Sequence, residues 1–323
     1  MFTGDDDLPL MSAPAAYPIE FPVNGTLVDD LGHARDLTAL VRVVFDEVFK
    51  ADADIWWNEV AALLDPKDHD LRAWLRAGFF EHHLKRHSRS RRKAPIVWQF
   101  AVLSGRYSIW VYAHRLTRDS FFQIQNDVVT PKLAHEERRL ASMAQSAALN
   151  PSARDRKEIA AQEAFVEELR SFLDEVRRVA PVWNPMLDDG VVLTMAPFWR
   201  LVPQHKLWQK KLKSKWDELA IGKYDWAHLA MHLWPERVVP KCATDRSLAI
   251  AHGLEDVFWS ECSDGKWKAR TKPLRPVDEL VRERSSAAVK AALKSLVDAP
   301  IALGNGRARG RRPASAATEG GTL

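Results

Sequence analysis

Between His82 and Lys93 the chain reads His-His-Leu-Lys-Arg-His-Ser-Arg-Ser-Arg-Arg-Lys. Six fixed positive charges, Lys85, Arg86, Arg89, Arg91, Arg92 and Lys93, fall there within nine residues. Side chains of this type reach adjacent phosphate oxygens, and small hydroxyls such as Ser88 and Ser90 add hydrogen bonds to the same backbone. The plainer alternative is a solvated helix end that aids solubility, because basic runs alone match many proteins that bind no nucleic acid. A second basic stretch holds Lys206, Lys210, Lys211, Lys213 and Lys215 together with Trp208 and Trp216. At helical spacing Lys206, Lys210 and Lys213 share one face, and Trp208, Leu212 and Trp216 another. The Trp face reads as core, with phosphate contact open to the Lys face.

Other residues that carry chemistry fall short of a catalytic pattern. His228 and His232 are four apart and able to meet one metal ion. The residue after the first is Leu229, where a metalloprotease helix needs Glu, so both read as core or partner-packing histidines. Asp188 and Asp189 read as a turn. Gly304, Asn305, Gly306 and Gly310 lack the strand–turn–helix context of a phosphate loop. No nucleophile elbow, kinase set, Walker loop or zinc-type cysteine pairing occurs. Cys242 and Cys262, twenty residues apart, read as reduced thiols of a cytoplasmic protein.

The elements that must position these groups follow from periodicity. Leu40, Val41, Val44, Phe45 and Val48 predict a helix over 37–50, with further helices at 53–64 and 71–85. Ile96, Trp98 and Phe100 alternate, Ser104-Gly105 offers turn chemistry, and Tyr107, Ile109 and Val111 alternate again, which predicts a β-hairpin. Pro131 suits the first turn of a helix running to Leu149. Asn150-Pro151-Ser152 breaks it, and Ser152 with Asp155 caps a long helix to about Ala180. The pair reads as an antiparallel helical hairpin. Val191–Met195 is expected as a short strand, with helices at 204–219 and 226–232. The fold class is therefore α+β, predominantly helical. Its segments are an extended arm (1–36), a helical part with the basic run and hairpin (37–130), the helical hairpin (131–180), a mixed Trp-rich region (181–262) and a basic, largely disordered tail (263–323).

The net charge is only +4, but its distribution is uneven. From His82 to Arg118 there are nine Lys or Arg and no acid, and from Gly190 to Trp216 six and no acid. Such segregation creates a local positive field on a nearly neutral chain. Thirteen Trp point to bulky cores or stacking surfaces, packing being the plainer reading. No apolar run approaches a membrane span, and the acidic N-terminus reads as no secretory signal.

Several stretches, in order, carry a resemblance: Leu27–His33, Ser90–Tyr112, His114-Arg115-Leu116, Asn126–Leu133, Trp183-Asn184-Pro185, Leu193–Leu201, Tyr224–Ala227 and Trp234–Val238. Across residues 20–260 the chain resembles the C-terminal part of bacterial adenine-specific DNA methyltransferases of the bacteriophage-exclusion (BREX) type and their type II restriction-modification relatives. The resemblance implies S-adenosylmethionine as the cofactor of the full-length family, with none held by this chain. The family's Gly-rich cofactor loop and its Asn/Asp-Pro-Pro-aromatic motif are missing here, and Asn184-Pro185 continues as Met186-Leu187. No catalytic residue carries over, and the chain is not expected to be catalytic alone. The implied partners are double-stranded DNA and a methyltransferase catalytic domain or other defence subunits.

Overall fold

A computed structural model describes residues 24–87, 94–148 and 152–299. Its sheet has three antiparallel strands, β1 (Thr26–Asp29), β2 (Val97–Ala101) and β3 (Ser108–Tyr112), in the order β1-β3-β2. The alternating hydrophobics do form a hairpin, with Phe100 opposite Ile109 and Trp98 opposite Val111. Gly105 turns the chain at φ +73°, a conformation that costs glycine little. The strand β1 was not foreseen. Residues 26–29 fall in the expected extended arm, yet they pair with β3, Leu27 opposite Trp110.

Among the described residues four α-helices precede the hairpin: α1 (Leu37–Phe49), α2 (Ala53–Leu64), α3 (Leu71–Ala77) and α4 (Phe79–His87). The expected single helix over 71–85 is broken at Gly78, where a Cβ would lie 2.8 Å from Trp74 Nε1. Leu71 and Leu75 consequently pack with Ala61 in a small cluster of their own, while Phe80 and Leu84 join the main core. Asp36 is wholly buried and accepts the Asp30 and Ala39 N–H groups at 3.0 Å and Arg72 Nη1 at 2.9 Å. Asp29 takes the same guanidinium and that of Arg76, so β1, α1 and α3 meet in one ionic knot.

Next come a short α5 (Ser120–Gln123), α6 (Thr130–Ser146) and α7 (Ala153–Val179). The cap is the reciprocal one: Ser152 Oγ accepts from Asp155 N, and Asp155 Oδ2 accepts from Ser152 N. Gln162 of α7 donates to Glu136 Oε2 of α6 at 2.7 Å, closing the helical hairpin. The inner face of α7, from Phe165 to Val179, is core.

Val191–Met195 is not a strand. Residues Val191–Thr194 form one helical turn, α8, after Gly190. Trp183 Nε1 donates to the Thr194 carbonyl, and Thr194 Oγ1 donates to the Met186 and Gly190 carbonyls. These bonds curl a β-branched stretch into a turn. The helices α9 (Lys206–Ala220), α10 (His228–Leu233), α11 (Pro235–Lys241), α12 (Arg246–Ala251) and α13 (Glu255–Phe258) follow.

The expectation of a largely disordered tail from 263 is corrected. A ribbon of β4 (Trp259–Glu261) and β5 (Trp267–Ala269) leads to α14 (Val277–Arg284) and α15 (Ala287–Asp298). Leu280, Val289 and Leu296 are buried, and Arg200 donates to the Leu296 carbonyl at 3.1 Å. The Arg-rich stretch from 301 lies outside the described residues. Both cysteines are free thiols, Cys242 buried and Cys262 exposed. No helix among the described residues is long and apolar enough to cross a membrane.

Replacing Asp36 with Ala removes a helix cap and leaves Arg72 without its main buried partner, at an expected cost of about 3 kcal/mol. Urea unfolding of the variant measures it. A loss no larger than that of an ordinary exposed cap would show that the knot does not hold β1.

Candidate nucleic-acid interface

The two acid-free stretches of the sequence fold side by side. In α4 the ring of Phe80 stacks on His205, centroids 3.9 Å apart, at the residue preceding α9. Trp98 of β2 meets Trp208 of α9 edge-on at 5.7 Å and also packs against Phe80. Trp98 of the hairpin thus joins Phe80 of α4 to Trp208 of α9 in one aromatic seam.

A buried amide fixes the seam. Gln99 Nε2 donates to the Arg76 carbonyl at 3.0 Å and to Ser108 Oγ at 3.1 Å. Its Oε1 lies 2.7 Å from His205 Nε2, so the imidazole donates from that nitrogen. Gln204 continues the link by donating to the Val102 and Leu103 carbonyls. Burial, reinforced by nearby His83, lowers the His205 pKa to about 4, and the ring stays neutral near pH 7.

Lys85 and Arg86 lie exposed near the end of α4 and make no ion pair among the described residues. Arg89, Arg91, Arg92 and Lys93 lie outside the described residues. On α9 the expected division holds: Trp208, Leu212 and Trp216 are buried, and Lys206 and Lys210 are exposed. Not every lysine there is available. Lys213 pairs with Asp217 and Lys215 with Glu218. Lys211 sits over the Trp208 ring at 4.2 Å, its pKa lowered by burial and by Lys215. Lys206 and Lys210 remain without carboxylate partners among the described residues.

A cleft of about 260 Å³ opens at the seam, lined by Arg76, Ser104, Gly105, Arg106, Gln204 and His205. Its two guanidiniums were not singled out from the sequence, although Arg106 falls inside the acid-free stretch. Both are anchored. Arg76 is paired with Asp29, and Arg106 lies over Phe165 and donates to the Ala161 carbonyl. They contribute field rather than free donors.

Of the two roles expected for His228, core or partner packing, the core one is excluded. Its side chain is 39% exposed and its Nδ1 lies 2.9 Å from Asp189 Oδ1. Asp189 was read as a turn residue but is buried, and it also accepts the backbone N–H groups of His228 and Leu229.

The depressed His205 pKa has a defined consequence for stability. Between 6.5 and about 4 the unfolded chain binds a proton that the folded ring refuses, so this stabilisation is whole above pH 6.5 and falls with pH through that window. Thermal unfolding of wild type and His205→Gln at pH 7.5 and 5 tests it. The variant should lose less on acidification, and equal losses would sink the assignment. Compared with family models and with curated proteins, the chain matches none.

Proposed function

We propose that this chain is a DNA-gripping accessory region of an adenine-specific DNA methyltransferase, working beside a separate catalytic domain that holds S-adenosylmethionine. The observation that carries the DNA contact is the meeting of the two acid-free stretches. The hairpin residue Trp98 packs on both Phe80 of α4 and Trp208 of α9, and each helix carries exposed cations, Lys85 and Arg86 on α4 and Lys206 and Lys210 on α9, with no carboxylate partner among the described residues. Exposed cations of this kind suit a phosphate backbone, which presents charges at regular spacing and is contacted without reading sequence. Arg89, Arg91, Arg92 and Lys93 extend the same run along the chain. The methyltransferase setting rests on the sequence resemblance, and it places methyl transfer on the partner.

The alternative, a scaffold that docks the catalytic domain without touching DNA, draws on a different surface. The Trp-rich face of α9 is core and unavailable. In α1, a strongly apolar helix, no residue is buried, and with α2 it leaves Val48 57%, Ile55 63% and Leu63 77% exposed. Apolar surface of this kind marks an interaction site more often than chance exposure.

Titration of a labelled duplex at low and moderate salt separates the two. Under the first reading wild type binds, and alanine at Lys85, Arg86, Lys206 and Lys210 weakens every sequence alike and cuts the salt slope by about 4. Adding Arg89, Arg91, Arg92 and Lys93 to the substitutions should deepen the loss. Unchanged affinity in these variants refutes the DNA face. Under the second, Ile55→Asp with Leu63→Asp leaves thermal unfolding intact and abolishes capture of a co-expressed catalytic domain. Capture that persists in this double variant removes α1–α2 from the interface.

A further inference from the structure

A larger cleft, of about 420 Å³, lies between the 184–186 loop, α10, the end of α12 and the end of α14. Three imidazoles reach it, from His228, His232 and His252. Each bonding pattern leaves a nitrogen to spare. The buried Asp189 carboxylate accepts His228 Nδ1–H, which leaves Nε2 as that ring's remaining polar atom. His252 Nε2 donates to the Asp225 carbonyl at 2.7 Å, which leaves Nδ1 as an acceptor. His232 Nε2 is buried with no hydrogen-bond partner among the described residues. Burial holds His232 and His252 below the ordinary histidine range, so both are neutral near pH 7.

The remaining walls complete a recognisable set of demands. Arg284 brings a positive charge. One of its donors serves the Leu280 carbonyl at 3.2 Å, and its nearest carboxylate, Glu283, is 3.7 Å away and shared with Arg275. The guanidinium keeps donors for an anion. Met186 and Met231 supply soft apolar walls on which a flat ring packs well, and Asn184 offers an amide with donors and an acceptor. Among the described residues no cluster of His, Cys, Asp or Glu is arranged for a metal ion.

We propose that this cleft binds a nucleoside monophosphate with an amino-bearing base. The phosphate sits on Arg284, the base against Met186 and Met231, and its amine and the ribose hydroxyls donate to the imidazole nitrogens. The acceptor nitrogens of His232 and His252 select a ligand rich in N–H and O–H donors, and the guanidinium of Arg284 selects one anionic group. The volume lies within the range of small-molecule sites, about 300–1,000 Å³. This site uses none of the residues of the DNA-contacting face, so either assignment can fail without the other.

The test is titration of the full chain with adenosine monophosphate, followed by calorimetry and by the imidazole carbon–proton NMR signals. Binding that shifts the His228, His232 and His252 signals is expected. Inosine monophosphate, which replaces the amine with a carbonyl, should bind about tenfold more weakly, and so should adenosine, which lacks the anion. Arg284→Gln, at the rim of the cleft, should cost about tenfold against the monophosphate and nothing against adenosine. No binding at millimolar nucleotide overturns the proposal. So does inorganic phosphate binding as tightly as the nucleotide, or equal affinity for the amino and oxo bases. Because these comparisons are made on wild type, a variant that fails to fold does not shield the idea.

Discussion

A carboxamide in a dry core must find partners for both its N–H groups and its carbonyl, since each one left over costs about 1–3 kcal/mol. Gln99 is buried in the middle of β2 and meets that demand with the Arg76 carbonyl, Ser108 and His205. The three partners belong to α3, β3 and the entry to α9. Satisfying one side chain therefore fixes the distance between parts of the chain more than a hundred residues apart. The helix α4 follows α3 across the Gly78 break, so its direction is set by the same node. The same amide ties the end of α3, and with it the start of α4, to the entry of α9.

The acidic residues explain how a chain with a net charge of only +4 exposes so much unpaired positive charge. Several carboxylates point inward. Asp36 serves Arg72, Glu175 serves Arg178 and Arg200, Asp189 serves α10, and Asp225 serves Arg237 and Lys241. A buried pair of this kind adds little net stability over an apolar substitute, but loss of one member strands a charge. The acids thus act as joints between segments and are withdrawn from the surface. On α9 the acids begin only at Asp217, beyond Lys206 and Lys210, so neutralisation is confined to the helix's second half.

What the sequence made legible was local. The hairpin followed from a two-residue alternation, the α6–α7 pair from its apolar spacing, and the long helix's start from Ser152 and Asp155. The Trp208–Trp216 stripe was readable as core for the same reason. Features decided by distant partners were not legible. Four residues of β1 carry too little pattern to announce a strand whose partner lies eighty positions on. Val191–Thr194 has strand-forming residues, and the Trp183 and Thr194 bonds overrule them. The helices α14 and α15 bury only Leu280, Val289 and Leu296 behind charged or alanine-rich faces, so their composition reads as tail. Charge marked Lys85, Arg86 and the lysine face of α9 as candidates, but nothing local said that the two acid-free stretches would meet through Trp98 and Trp208. The histidine cleft is drawn from four separate segments, and only the His228–His232 spacing hinted at it.

The strand order β1-β3-β2 also sets an order in time. The pairing of β2 with β3 closes a loop of a few residues and forms without waiting for anything else. The pairing of β1 with β3 must bridge four helices, so it needs the hairpin's open edge as a template and the Asp29–Arg72 knot to hold it there. As the chain leaves the ribosome, Thr26–Asp29 emerges early and stays unpaired until β3 has been made. Joining β1 to β3 closes a loop about eighty residues long, so the sheet's edge strand ties the four helices between them to the hairpin.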